Sequence, residues 1–563
     1  MDNLLLLTDS YKVSHWAQYP PGTETVYSYF ESRGGKYDEV CFFGLQYFLK
    51  RYLAGEVVTE ARIDEAAAYY EGHFPPGFEF NRKGWEHIVD EHKGRLPLTI
   101  KAVPEGTVVG VKNVLMTVEN TDPKCFWLTN YVETLLVQVW HAMTVCTHSR
   151  EQKKVIAAYL AETGDVGGLG FKLHDFGFRG VSSVESAGTG ACAHLVNFLG
   201  TDTVAGLVVA REYYGCRTAG FSIPASEHST ITAWGRADEA KALENMLDAY
   251  PTGLVACVSD SYDVFKACSE IWGETLRSKV LGREGTLVVR PDSGEPCATS
   301  LKCLELLYEK FGGPLVRVGR LEVPSLGVVV VGRPTRRRHD GRGDGLPVGS
   351  KKYSNRVSST TRRRRRTPAR HLRARRRDGF IRAGQVNEKG YKVLDPHVRL
   401  IWGDGIDYQA LCTICATLKA NGWSLDNIAF GSGGGLLQKL NRDTQKCAFK
   451  CSSITVGGQD RDVFKDPVTD PGKASKRGRL ALVADSEGSY VTKTACPREG
   501  VPGDVLVEVF RDGTLLVDQS FDDVRARAAI PDPSTLPLLG GVAGAPPQQI
   551  EVLYGTVEQI DGL

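Results

Sequence analysis

The chain has 563 residues, 42% of them hydrophobic and 24% charged, with a net charge of +2. This length allows two or more domains with sizeable cores, and the balance excludes a disordered polar chain. No apolar run approaches the ~20 residues that span a bilayer.

The N-terminus, Met1–Asp9, lacks the basic region of a signal peptide, and the 14 cysteines form no disulfide framework. A cytoplasmic, reducing setting is therefore expected. Cys412-x-x-Cys415 lies in a helix-like stretch and Cys447-x3-Cys451 in a strand-like run, so neither pair reads as zinc ligation. The small net charge conceals an asymmetry. Between Arg333 and Arg382, 17 Arg and 2 Lys face 3 Asp, a local +16; the other 50 Lys+Arg and 64 Asp+Glu leave −14.

Residues 1–165 read as an α+β module. Thr8-Asp-Ser-Tyr-Lys12 opens it, and strand-like Thr25–Phe30 ends at Glu31-Ser-Arg33. Two amphipathic helical patterns follow over 43–72, apolar–polar alternation over 98–120, and helices over Asn130–His141 and Ser149–Glu162.

From 166 the texture changes to a repeated unit: apolar run, polar or glycine-rich turn, helix. Leu254–Val258 ends in Ser259-Asp-Ser-Tyr-Asp263, Thr286–Val289 in Arg290-Pro-Asp-Ser-Gly294, Val398–Trp402 in Gly403-Asp-Gly405, and Ile428–Phe430 in Gly431-Ser-Gly-Gly-Gly435. Alternating β and α elements predict a parallel sheet covered by helices, an α/β fold of distorted TIM-like barrel type. Residues 166–314 and 386–445 would form the barrel. The turns after its strands would form the reactive face, with the glycine loop offering backbone N–H groups to a phosphate. Residues 446–530 read as a β-rich segment packing with the first module, and 531–563 as a loose tail. The basic segment 315–385 interrupts the barrel. Its composition predicts a disordered insert. No aromatic residue interleaves the arginines of 361–377 as base stacking requires, so nucleic acid is expected as a partner only through this insert.

Phe221–Thr230 places His228 in a small polar loop beside Glu227, where an imidazole suits chemistry near neutral pH. Arg290 with Asp292 suits a ribose phosphate, the guanidinium for phosphate oxygens and the carboxylate for vicinal hydroxyls. Asp404 between two glycines suits the same task or Mg²⁺. These residues point to phosphoribosyl transfer. A sugar-phosphate aldolase or isomerase is the other reading of such a barrel, but no lysine follows a strand as a Schiff-base former would.

Thr8-Asp-Ser-Tyr-Lys12, Lys172-Leu-His-Asp-Phe-Gly-Phe-Arg-Gly180, Gly200-Thr-Asp-Thr-Val-Ala-Gly206, Glu227-His-Ser-Thr230, Arg290-Pro-Asp-Ser-Gly294, Gly403-Asp-Gly405 and Phe430–Leu440 resemble the nicotinamide phosphoribosyltransferase family, over about 4–315 and 386–525. The resemblance implies a homodimer with shared active sites that condenses nicotinamide with phosphoribosyl pyrophosphate, with Mg²⁺ and with ATP as co-substrate. It implies that Phe176 and the partner subunit's Tyr11 sandwich the pyridine ring, while Asp202 and Ser222 hold the carboxamide. Arg290, Asp292, Gly403 and Asp404 would take ribose and phosphate, Gly434 and Arg442 the nucleotide phosphate, and Arg179 the pyrophosphate. His228 would be phosphorylated by ATP, and with Arg290 and Asp292 would make up the catalytic set. Arg33, Lys450, Lys465 and Lys473 would line a phosphate channel. Ala448 departs from the serine usual in the family. Nicotinate phosphoribosyltransferase and a catalytically idle binding or signalling homologue are the alternatives.

Overall fold

Alternation along each barrel strand decides what its two faces bury. In Thr252–Val258, Val255 and Cys257 pack outward under the helices, whereas Ala256 points inward. The same division sets Leu287 and Val289 against Val288, Leu400 and Trp402 against Ile401, and Ile428 and Phe430 against Ala429. The inward residues, with Phe176 and Ile223, form a thin apolar plug inside a curled sheet. The computed structural model describes residues 3–312, 315–317, 380–382, 385–469 and 474–539.

The sheet runs Gly200–Thr201, Leu173–Asp175, Ile428–Ser432, Val398–Trp402, Glu284–Arg290, Thr252–Val258, all parallel. Its two edges are joined by an irregular segment. Phe221 bridges Gly200 on one side and Ala225 bridges Ala256 on the other. The Thr201 N–H donates to Phe221 O at 3.0 Å, and Ala256 N–H to Pro224 O at 2.9 Å. The segment also donates, Phe221 N–H to Leu199 O at 2.7 Å and Ser226 N–H to Ala256 O at 3.0 Å, so each bridge is complete although no continuous ladder forms. The expected distorted barrel is thus six strands and a seam, and His228 begins the helix His228–Thr232 just beyond that seam.

The second sheet is antiparallel and mixes the two ends of the chain. Its order is Gln459–Asp462, Cys447–Val456, Thr23–Ser32, Val114–Asn120, Leu98–Ala102, Val507–Arg511, Thr514–Leu515. Thr23 pairs with Val456 and Ser32 with Cys447.

The helices of the first module differ from expectation. Asn130–His141 is not one helix but Leu128–Tyr131, Glu133–Val137 and the start of a third, Val139–Thr163. That third helix runs through the expected break because Ala142 to Ser149 is buried throughout, which erases the amphipathic period. The helix after the glycine loop is a single turn, Gly434–Leu437.

Two compact bodies are distinguished, Met1–Gly312 with Gly384–Leu563, and Gly313–Ala383. In the second, Leu315–Arg317 and Phe380–Arg382 pair antiparallel. The rest of the predicted basic insert, and residues 540–563 of the predicted tail, lie outside the described residues.

Candidate active site at the barrel mouth

The turns that follow the barrel strands enclose a cavity of about 550 Å³. Phe176, Arg179, Asp202, His228, Arg290, Asp292, Gly403, Asp404 and Gly434 line it together, from six different segments. Phe176 follows the strand Leu173–Asp175 and is anchored by its own N–H on Ser432 O at 2.9 Å. Its ring lies against two glycines. A Cβ at Gly431 would come within 1.9 Å of the ring and one at Gly403 within 3.1 Å. Gly431 is therefore required by the aromatic face, quite apart from any phosphate, and a side chain at 403 would crowd it. Asp175 beneath is fully buried, and burial raises its pKa although Gly177 N–H and the Thr201 hydroxyl donate to it. Those bonds tie the Phe176 turn to the neighbouring strand.

Asp202 precedes the helix Val204–Tyr214 but does not cap it; Thr203 is the cap residue and makes no side-chain cap bond. Instead the Ser222 hydroxyl donates to Asp202 Oδ1 at 2.5 Å. One carboxylate oxygen is thus occupied, and Asp202 remains exposed in the cavity.

In the same cavity, His228 Nε2 donates to Asp260 Oδ1 at 3.1 Å, and the Ser293 hydroxyl to Asp260 Oδ2 at 2.6 Å. The Asp260 side chain is 5% exposed and His228 is 48% exposed, so a sheltered carboxylate fixes an accessible ring. Glu227 caps the His228 helix and accepts from the Ser229 hydroxyl. Asp260 and Ser293 were not singled out from the sequence. The available signal for Asp260 was its place directly after a barrel strand, where side chains reach the mouth. Arg290 stands 3.8 Å from Asp292, and its Nε is buried without a hydrogen-bond partner among the described residues. A desolvated guanidinium N–H is costly to leave unpaired, so it favours an anion from the cavity.

The remaining predicted residues do not join this group. Tyr11, Arg33, Arg442, Lys450 and Lys465 line a second cavity of about 820 Å³, with Ala448. There burial lowers the pKa of Lys450, Glu133 opposes, and the charges of Arg33, Lys12 and Arg442 add to the depression. Lys473 lies outside the described residues.

A family model described as the N-terminal domain of nicotinamide phosphoribosyltransferase matches residues 3–100. The model of the nicotinate phosphoribosyltransferase (NAPRTase) family matches 171–318 and 383–512. A protein of Xanthomonas campestris named nicotinamide phosphoribosyltransferase is 46% identical over 536 residues, spanning 94% of this chain and 98% of its own. This chain belongs to the nicotinamide phosphoribosyltransferase family. A family member from Acinetobacter baylyi with the same name is 31% identical, over 94% of this chain and 97% of its own. The fold is shared with a nicotinate-nucleotide pyrophosphorylase from Pyrococcus furiosus, at TM-score 0.50 and 13% identity over 94% of this chain and 95% of that one. The part of this family member that the NAPRTase model passes over, between 318 and 383, is the basic segment.

Proposed function

We propose that this chain is a pentosyltransferase that joins nicotinamide to 5-phosphoribosyl 1-pyrophosphate, giving nicotinamide mononucleotide and pyrophosphate for NAD salvage. The observation that carries the reading is the set of groups gathered in one cavity. An aromatic face on two glycines shares it with Asp202, which holds the Ser222 hydroxyl, with Arg179 and Arg290, and with a carboxylate-held histidine. The near-full-length relatives carry the same name.

In the reaction the ring nitrogen of nicotinamide forms a bond to the anomeric carbon as the carbon–oxygen bond to pyrophosphate breaks. Phe176 orients the ring by stacking. Arg179 and Arg290 stabilise the charge that collects on the leaving pyrophosphate. Asp292 and Asp404 accept the ribose hydroxyls. Their hard oxygen donors also fit Mg²⁺, which would be held there with the phosphates and would supply further positive charge.

Asp202 would select the amide. With Oδ1 taken by Ser222, Oδ2 accepts the carboxamide NH₂ and repels the carboxylate of nicotinate. Asp202→Asn keeps the shape and removes the charge. The expected result is a kcat/KM ratio of nicotinamide to nicotinate that falls at least tenfold; an unchanged ratio, or a wild type that prefers nicotinate, would overturn the reading.

ATP enters as co-substrate through His228. Asp260 holds Nε2, so Nδ1 is the nitrogen left to accept the γ-phosphoryl group as ADP departs. His228→Ala should lose acid-labile label from γ-labelled ATP, and retention of label would assign another acceptor. The active form is a homodimer in the cytoplasm. Tyr11 is 60% exposed and away from the barrel mouth, as a residue given to a partner's ring site must be, and Val204 and Val208 are exposed on one helix. All 14 cysteines are free, which suits a reducing compartment. A monomeric mass by light scattering would refute the shared site.

A further inference from the structure

A third cluster of reactive side chains lies in the first module and lines neither cavity. The helix Arg82–His92 stops where Lys93 and Gly94 take left-handed backbone, at φ 55° and 70°. It thereby presents His87 and His92 toward the turn Pro123–Cys125, which follows the strand Val114–Asn120. Asp122 starts that turn, with its Oδ1 accepting the Lys124 N–H at 2.8 Å. Its other oxygen receives His87 Nε2 and His92 Nε2, each at 2.7 Å. Cys125 closes the turn, is fully buried, and its thiol has no hydrogen-bond partner among the described residues. The four ligand atoms lie within 4.8 Å of one another.

Hydrogen bonding explains part of this arrangement. A carboxylate oxygen accepting two imidazoles is satisfied, but two rings aimed by the same nitrogen at one point, with a buried thiol facing that point, exceed what the aspartate needs. Two imidazole nitrogens, a carboxylate oxygen and a sulfur are the donor set that a tetrahedral, borderline-soft divalent ion takes. Ligand bonds of about 2.0–2.3 Å around such an ion separate neighbouring donors by roughly 3.3–3.7 Å. The present nitrogen–oxygen contacts need only open slightly, and the longer ones close by about an ångström, a change side-chain rotation supplies. A doubly charged ion with thiolate, carboxylate and two neutral rings is also neutral overall, which burial requires.

We propose that His87, His92, Asp122 and Cys125 form a structural site for a zinc-class divalent cation, which ties the helix Arg82–His92 to the turn Pro123–Cys125. Loading releases the Cys125 thiol proton, and each neutral ring gives up its Nε2 proton to water and takes one on Nδ1, which frees the Nε2 lone pair for the ion. With four protein ligands the site has no open position, so its role is to hold the module together rather than to activate water.

Zinc and cobalt titration of the full-length protein, stripped with chelator and desalted, tests this. Wild type should retain one zinc per chain through gel filtration, and Co²⁺ should give a thiolate-to-metal charge-transfer band. Cys125→Ser should abolish the band and weaken retention at least tenfold, while Cys496→Ser, away from the cluster, should leave both intact. Asp122→Asn, which keeps the turn's cap acceptor, should weaken zinc retention if Cys125→Ser does not fold. Chelator should lower the melting temperature of wild type and not that of the variants. Substoichiometric zinc in wild type, or a band that survives Cys125→Ser, would overturn the proposal.

Discussion

The aromatic platform of Phe176 exists because residue 431 has no side chain. A Cβ there would sit 1.9 Å from ring carbon Cε2, closer than any contact the ring can tolerate without moving. Gly431→Ala should displace the ring by about an ångström, and misplacement on that scale costs roughly a hundredfold in kcat/KM. The protein should still fold, because the residue lies at the end of a strand where the ring can swing into the cavity. Steady-state kinetics with unchanged far-ultraviolet circular dichroism would bear this out; unaltered kinetics would mean that the ring does not orient the substrate. Gly431 also shows how one residue misleads a sequence reading. Within a glycine-rich loop it looks like a phosphate cradle, and only the packing reveals that it serves an aromatic neighbour.

At the scale of elements, the barrel strands were legible because each short apolar run stops at a polar turn, as Thr286–Val289 stops at Arg290 and Ile428–Phe430 at Gly431. The seam Phe221–Ala225 was not, since it carries Pro224 and makes isolated bridges rather than a ladder. The unbroken helix Val139–Thr163 was hidden for the opposite reason, continuous burial from Ala142 to Arg150. The pairing of His228 with Asp260 joins residues on different turns, which no spacing rule encodes. Close strand contact has its own demand at Gly285, which pairs in register with Gly253. A Cβ at Gly285 would meet Gly253 O at 2.0 Å. Gly285→Ala should therefore force the strands Thr252–Val258 and Glu284–Arg290 apart at one end and cost about 1–3 kcal/mol, the usual range for overpacking. A shift in the urea midpoint measures it, and no shift would show that the strand ends already breathe.

Over the whole molecule, two buried histidines contribute to the loss of stability in acid. Burial, then the nearby Lys36 charge, lowers His148 to about 3; burial, then His174, lowers His194 to about 3. Both neutral rings are satisfied, His194 accepting from the Ser149 hydroxyl at 2.9 Å and donating to Leu173 O at 3.2 Å. Unfolded histidine titrates near 6.5, so between 6.5 and 3 the unfolded chain binds protons that the native chain does not. The stabilisation is complete above pH 6.5 and is lost as pH falls toward 3, at up to about 1.4 kcal/mol per pH unit for each ring. Unfolding free energies at pH 7 and 5 should show this slope, and His194→Gln should flatten it; an equal slope in the variant would exclude the ring. The same scale contains the basic segment. Arg317 pairs directly with Phe380, so a two-residue turn can replace residues 318–379. Every residue of the mouth cavity lies outside that span, and the shortened chain should keep wild-type kcat/KM. Loss of soluble protein would show that the segment contributes to folding.

The antiparallel sheet also has a consequence for the order of events during synthesis. Its strand Thr23–Ser32 leaves the ribosome early, yet one of its two neighbours, Cys447–Val456, is among the last parts to be made. Until then the early strand has an open edge, the kind that recruits other chains. Nascent chains stalled in the basic segment would carry that edge exposed. Refolding from denaturant faces the same long loop closure, which slows folding without weakening the final state. Slower translation of the arginine-rich stretch should therefore lower the yield in a cell, an effect of the pairing order that the folded enzyme no longer displays.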